Sequence, residues 1–221
     1  AVTFDGDTDM QPDLIWGKRR DSTGHPTIFD SVRGITKGVE TNSGGAEFTS
    51  TDYYTAFGSD GFTIAAGSSG AGNGDSQTAV QWCWKESATS GFDMVLYTGD
   101  TAGASRTIAH SLSAVPDAII LKPRSYDGAA WYVPRDHPAK VLELQNTNAE
   151  VDPSSGFGGG GLLQSTFTSS VFGGTDRTSN DELWNDDGET YIAYCFASKQ
   201  GFSKMGSSYI GNGNADGSFV F

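Results

Sequence analysis

The sequence predicts an all-β protein: two tandem pseudo-repeat β-sandwich-like units with long Gly-rich loops and very little helix. Three observations predict it. No window sustains the 3.6-residue apolar period of an amphipathic helix. Short runs rich in Val, Ile, Phe, Tyr and Trp alternate with clusters of Gly, Asn, Asp and Ser, and 30 of the 221 residues are glycine, about twice average usage. The chain also contains itself twice, the mark of a modular build.

The repeat is read directly. Pro12-Asp13-Leu14-Ile15-Trp16-Gly17-Lys18-Arg19-Arg20 faces Pro116-Asp117-Ala118-Ile119-Ile120-Leu121-Lys122-Pro123-Arg124, residue 12 against residue 116, an offset of 104. Gly24 and Gly128 close both stretches at that offset. Later, Thr78 to Trp84 faces Thr190 to Phe196, with Cys83 against Cys195 at an offset of 112. Gly91-Phe92 then faces Gly201-Phe202, and Tyr97-Thr98-Gly99 faces Tyr209-Ile210-Gly211. The growing offset puts a longer loop in the second unit. The units are expected at 1–104 and 105–221, with the two able to pack as one domain.

The elements follow in order. Leu14-Ile15-Trp16 and Ala118 to Leu121 are continuous apolar runs, as in strands covered on both faces. Phe62-Thr63-Ile64 alternates. Val80 to Trp84 and Tyr191 to Phe196 are long aromatic-rich runs, expected as the central strand of each unit. Met94-Val95-Leu96-Tyr97 and Met205 to Ile210 are the next strands. Phe219-Val220-Phe221 is one more, suited to a further unit or to a neighbouring subunit. Turns fall at Asp21 to Gly24, Ser59-Asp60-Gly61, Ser125 to Gly128 and Asp186-Asp187-Gly188. Gly67 to Gly74 and Gly156 to Gly161 read as flexible loops.

Charge narrows the function. The net charge of −13 opposes nucleic-acid binding, which needs clustered Lys and Arg, and docking to an anionic membrane. No stretch approaches the roughly 18 apolar residues of a membrane span. Ala1-Val2-Thr3-Phe4 lacks the regions of a signal peptide and an initiator Met, so the chain is expected to be processed or cut from a longer one. Cys83 and Cys195 occupy equivalent positions and are expected as buried free thiols rather than a bridge, consistent with folding in a reducing cytoplasm.

Local motifs for chemistry are weak. Asn212, Asn214 and Asp216 have the alternation of a calcium loop, but the Glu that would close it is absent, and a hairpin turn explains the same letters. Asp5, Asp7 and Asp9 read as a solvated acidic loop. His25, His110 and His137 have no second ligand at metal spacing. Glu143 and Glu150 could be paired as glycosidase carboxylates only on paper. No nucleophile elbow supports a Ser-His-Asp triad. The glycine-rich loops lack the Lys-Ser or Lys-Thr of a phosphate cradle. Trp82 and Trp84, like Tyr194 and Phe196, share a strand face and are expected to be core. Trp131 and Trp184 lie at less regular sites beside Tyr132 and Asn185-Asp186-Asp187 and are the candidates for a flat platform under a sugar ring.

The repeated blocks resemble repeats of structural proteins of tailed bacteriophages, marine ones especially. The residues that carry the resemblance are Pro12-Asp13 through Lys18 with Asp21-Ser22, Phe29 to Gly34 with Lys37, Ser59-Asp60-Gly61-Phe62, and Val80 to Lys85. In the second unit they are Arg106 to His110, Pro116 to Arg124, Tyr191 to Phe196, Gly201 to Lys204, and Tyr209 to Gly217. Between Arg135 and Thr178 the pattern is lost, with Arg135-Asp136-His137-Pro138 in place of Ser31-Val32-Arg33-Gly34. The resemblance implies a non-enzymatic virion protein of tail-fibre, appendage or decoration type, folded in the host cytoplasm. Its expected partners are copies of itself and other virion proteins, and it needs no cofactor. The alternative is a lectin-like module that holds a cell-surface glycan.

Overall fold

The computed structural model describes residues 1–68, 70–100, 105–135, 140–152, 161–162, 166–175, 184–206 and 213. Among them the fold is all-β, with four antiparallel sheets and no α-helix. Sheet A runs β1 (Val2–Thr3), β7 (Gly61–Ile64), β6 (Tyr54–Gly58). Sheet B runs β5 (Phe48–Thr49), β4 (Lys37–Glu40), β3 (Thr27–Asp30), β2 (Leu14–Arg19), β8 (Ala79–Trp84). Sheet C runs β13 (Leu142–Glu143), β12 (Trp131–Pro134), β11 (Ala118–Pro123), β16 (Thr190–Phe196), β9 (Phe92–Thr98). Sheet D runs β10 (Ser105–Ala109), β15 (Val171–Thr175), β14 (Gly161–Leu162).

Side-chain alternation stacks the sheets in the order A, B, C, D. Ile15 and Phe29 of B meet Tyr54 and Phe62 of A. Leu14, Ile28 and Val39 point the other way and meet Phe92, Met94, Ile192 and Tyr194 of C. Ile119, Leu121 and Tyr191 of C meet Ile108 and Phe172 of D. Sheets B and C are therefore buried on both faces. This is the physical reason that Leu14-Ile15-Trp16 and Ala118 to Leu121 read as unbroken apolar runs.

The sheets correspond strand by strand. The order β4-β3-β2-β8 in B matches β13-β12-β11-β16 in C. Ile15 lies opposite Cys83, and Ile119 lies opposite Cys195. Asp13 and Asp117 explain the recurring Pro-Asp. The Asp13 carboxylate accepts the Glu86 N–H at 2.8 Å, and the Asp117 carboxylate accepts the Ser198 N–H at 2.7 Å. Each aspartate thus ties the chain just past the long strand back to the start of the strand beside it.

One connection crosses from sheet B to sheet C. After β8 the chain turns and β9 crosses to sheet C, pairing with β16 from Phe92↔Phe196 to Thr98↔Thr190. A strand from the first unit's sequence thus completes the second unit's sheet. A correction concerns Val80 to Trp84. This run was expected at the centre of its sheet, yet β8 is an edge strand among the described residues, whereas β16 lies between β11 and β9. Met205 and Gly206 lie in no strand. Residues 207–210, Phe219 to Phe221 and most of the Gly156 to Gly161 loop fall outside the described residues.

Polar groups lock B onto C. The buried Arg33 donates to Asp30 at 2.6 Å, to the Ile28 carbonyl at 3.0 Å and to Glu47 at 3.3 Å. From the other sheet, the Tyr194 hydroxyl donates to Asp30 at 2.8 Å, and Arg124 grips Glu47 with two bonds at 2.8 and 3.1 Å. Burial alone would make Arg33 easier to deprotonate, but the charges around it, Asp30 and Glu47 among them, hold it above its ordinary value. Lys122 is a second tie. Its ammonium donates to the carbonyls of Gly44 and Gly128, one from each half of the chain, and burial pushes it down to about 8.

Candidate functional site: an open strand edge beside an apolar slot

Among the described residues, the outer edge of β8 meets no strand. Arg20 N–H reaches the Thr78 carbonyl at 2.8 Å. Pairing alternates with period two, so Val80, Trp82 and Trp84 turn their backbone groups to β2, and Ala79, Gln81 and Cys83 turn theirs outward. In sheet C the matching residues Tyr191, Ala193 and Cys195 lie opposite Tyr97, Val95 and Asp93 of β9. In sheet B no strand among the described residues meets Ala79, Gln81 and Cys83.

Side chains follow the backbone. Trp82 is 46% exposed, while its counterpart Tyr194 is 1% exposed. The same aromatic position is core in one sheet and surface in the other, because β9 covers only one of them. Trp82 leans edge-on against Trp16, with ring centroids 6.0 Å apart. The expectation that Trp82 and Trp84 are both core therefore holds for Trp84 and not for Trp82.

Beside the end of β8 is an apolar slot of about 430 Å³, lined chiefly by Met10, Trp84, Phe92, Phe196, Phe202 and Met205. Trp84, Phe92 and Phe196 form an aromatic cluster, Phe92 and Phe196 being 5.0 Å apart. Phe202 behaves differently from Phe92, although each follows a turn glycine. Gly91 and Gly201 share a left-handed φ of +73° and +75°, in the region that favours glycine. The first turn closes Ser87 on Phe92, but the second is one residue shorter and closes Lys199 on Ser203. Phe202 is thereby left in the turn, 79% exposed.

A carboxyl pair lies in the chain next to residues that line the slot, Glu86 after Lys85 and Asp93 after Phe92. Glu86 and Asp93 share a hydrogen bond; burial, then Asp93, push Glu86 up to about 7. Burial also works against the charge on Asp93, but the Ser111 N–H at 2.6 Å and Glu86 hold Asp93 below the usual carboxylate range. Such a pair binds one proton in place and grips two backbone N–H groups, those of Ser111 and Met94. Cys83 beside it is a free thiol pushed up to about 11 by burial, hence a weak nucleophile. Cys195 is also a free thiol, fully buried.

The structure does not bring the other sequence candidates together. Trp131 is 4% exposed and Trp184 is 2% exposed, both inside the core between C and D. This corrects the sugar-platform assignment: neither ring has a free face, because Trp131 lies in a sheet interior and Trp184 packs over Tyr97 and Tyr191 in the same cluster. Asn212, Asn214 and Asp216 lie outside the described residues, as does His137. His25 contacts Asn42 at 3.0 Å, and His110 contacts the Thr168 carbonyl at 3.1 Å. Glu143 receives bonds from Asn146 and Asn148, both 2.9 Å. Among the described residues, no group of three or more His, Cys, Asp and Glu converges as a metal site.

Sequence reasoning missed the lock of Arg33, Asp30, Glu47, Arg124 and Tyr194. No local spacing could reveal it, since Arg124 and Glu47 are 77 residues apart. The shared role of Asp13 and Asp117 did leave a signal, in their recurrence at one offset.

Comparison with curated proteins and with solved structures gives no match. A family model does match, over residues 6–221, and the chain therefore belongs to the family described as a domain of unknown function, DUF7483.

Proposed function

We propose that the protein is a non-catalytic structural component of a tailed-phage particle, in a tail fibre, appendage or decoration, and that it works by assembling with copies of itself. The setting rests on the resemblance of the repeated blocks. A rigid structural role is supported by one observation: the Arg33–Asp30–Glu47 lock, which joins sheet B to sheet C through Tyr194 and Arg124. A buried ion network of this kind supports a fixed mutual orientation, which is what a load-bearing or surface-presenting part requires. Lys122 and the Glu86–Asp93 pair likewise hold backbone groups of neighbouring segments.

Sedimentation across a concentration series tests the self-assembly, with native mass measurement to count copies. An oligomer that grows with concentration supports the reading, and a strict monomer at millimolar concentration removes it. Peptide mass analysis of purified particles tests the setting. The lectin-like alternative loses the two tryptophans on which it stood, since both are core.

A further inference from the structure

We infer that the outer edge of β8 is the seat of the chain's own continuation past Gly206, Ser207 to Ile210, so that the two units exchange their last strands. β9 of the first unit completes sheet C, and the continuation of the second completes sheet B. Residues 207–210 lie outside the described residues; the residues that lead up to them point to this seat. The exchange belongs to the single chain and holds whether or not copies assemble.

The turn after β16 repeats the turn after β8 tie for tie. Asp13 accepts the Glu86 N–H, and Asp117 accepts the Ser198 N–H. The Glu86 carboxylate in turn accepts the Met94 N–H at 3.1 Å, and the Ser198 hydroxyl accepts the Met205 N–H at 3.0 Å. Bridges close both turns, Ser87 on Phe92 and Lys199 on Ser203, around Gly91 and Gly201 with left-handed φ. Met205 therefore stands where Met94 stands. Met94 is the third residue of β9, the strand that crosses to the other sheet and pairs along the edge of its long strand.

The next contacts lead the same way. Met205 lines the slot together with Cys83 and Trp84 at the end of β8. The Gly206 carbonyl accepts the Tyr132 hydroxyl at 3.2 Å. Tyr132 lies opposite Ile120, which packs into the core shared by sheets B and C, while its neighbours Trp131 and Val133 face sheet D. Side chains alternate along a strand, so Tyr132 faces sheet B. The chain thus crosses from sheet C towards β8, as β9 crosses from sheet B to β16.

Two offsets give the register. Met205 matches Met94 at an offset of 111. Tyr209-Ile210-Gly211 matches Tyr97-Thr98-Gly99 at 112, the offset that also relates Cys83 to Cys195. One residue is extra between Met205 and Tyr209. Gly206, its carbonyl turned to Tyr132, is the place for it, as a one-residue bulge. Tyr97 lies opposite Tyr191, and Val95 opposite Ala193. By the same pairing, Tyr209 comes opposite Ala79 and Ser207 opposite Gln81, where they meet the backbone groups that β8 turns away from β2.

The test uses the full chain at low concentration. Val80 and Ser208 would be a non-hydrogen-bonded pair with Cα atoms roughly 4.5 Å apart, within disulfide reach. On mild oxidation, Val80→Cys with Ser208→Cys is expected to form a disulfide within one chain, seen as the loss of two thiols at unchanged monomer mass. Val80→Cys with Ser207→Cys puts the thiols on opposite faces and is expected to form none. Hydrogen exchange needs no substitution and covers the case of a variant that folds poorly. The Ala79 and Gln81 N–H groups of wild type are expected to exchange about a hundredfold or more slowly than in an unfolded chain, equally at all concentrations.

Rapid exchange at both amides overturns the proposal. So does protection that appears only as concentration rises, or a disulfide that links two chains, since either assigns this edge to a second copy. Protected amides without a link from folded Val80→Cys with Ser208→Cys overturn it too, because another segment then holds the edge. None of these results bears on whether copies associate elsewhere, so the self-assembly reading stands or falls by sedimentation alone.

Discussion

Trp84 and Phe196 hold the same place in sheets B and C, and their rings meet edge to face with centroids 6.4 Å apart. Equivalent residues touch one another across a two-fold relation and not across a simple translation. The same holds for the wider faces, since Trp16 and its match Ile120 both enter the shared core. Sheets B and C thus pack face to face with matching positions in contact. Trp84→Ala and Phe196→Ala should each destabilise the fold. Their double-mutant cycle should show a coupling of roughly 0.5–1.5 kcal/mol, as aromatic pairs do. Additive effects in denaturant titrations would mean that the rings act independently.

The lock offers a graded prediction. Tyr194→Phe removes one donor to Asp30 and leaves Arg33 paired. Its cost should be near the roughly 1–3 kcal/mol of a buried hydrogen bond to a charged group. Asp30→Ala strips the fully buried Arg33 of its closest countercharge and should cost about 3–5 kcal/mol. Urea unfolding of both variants decides the order, and a larger loss for Tyr194→Phe would mean that Asp30 is not the hub.

The Glu86–Asp93 pair predicts a pH dependence. The folded-state value of Glu86, about 7, lies above its ordinary 4.5. Between those values the folded protein holds a proton that the unfolded chain releases, so this contribution is full below about 4.5 and is lost as pH rises through 7. Asp93, held low by Ser111 and Glu86, acts in the opposite sense and only below its ordinary 3.8. Asp13 is the other carboxylate acting on Glu86. Melting temperature against pH should therefore fall from pH 5 to 7.5 in wild type, and Glu86→Gln should flatten that fall. An unchanged slope in the variant would assign the titration elsewhere.

Much of this fold was legible because its regularities are local or periodic. Ile15 and Ile119 sit at one offset in the sequence and against matching cysteines in the sheets. The Asp60-Gly61 turn was legible too: Gly61 has a φ of +130° and its backbone lies where a Cβ would strike the Val2 carbonyl. Strand neighbours were not legible. Nothing in Met94-Val95-Leu96-Tyr97 tells whether it joins its own sheet or the next, and that single choice decides that Tyr194 is core and Trp82 is not. Trp131 and Trp184 were misplaced for a related reason: irregular spacing suggests a surface site, but sheet D packs over them. The Arg33 lock joins segments far apart in sequence, from Asp30 to Tyr194, so no local pattern marks it.

Trp184 tests the corrected site most simply. Its ring is buried in the cluster that holds Tyr97, Phe172 and Tyr191, and among the described residues its indole N–H finds no acceptor. Two terms then separate. Trp184→Ala removes the whole ring and leaves a cavity, a change that costs roughly 3–5 kcal/mol in a packed core. Trp184→Phe removes less volume and also removes a buried donor that stands unsatisfied, a group that itself costs about 1–3 kcal/mol to bury. The second substitution should therefore be much milder than the first, within about 1.5 kcal/mol of wild type, as for near-isosteric core changes. Thermal and urea unfolding measure both. Equal, small effects would return Trp184 to the surface and reopen a role in ligand stacking, because only an exposed ring can be truncated at little cost.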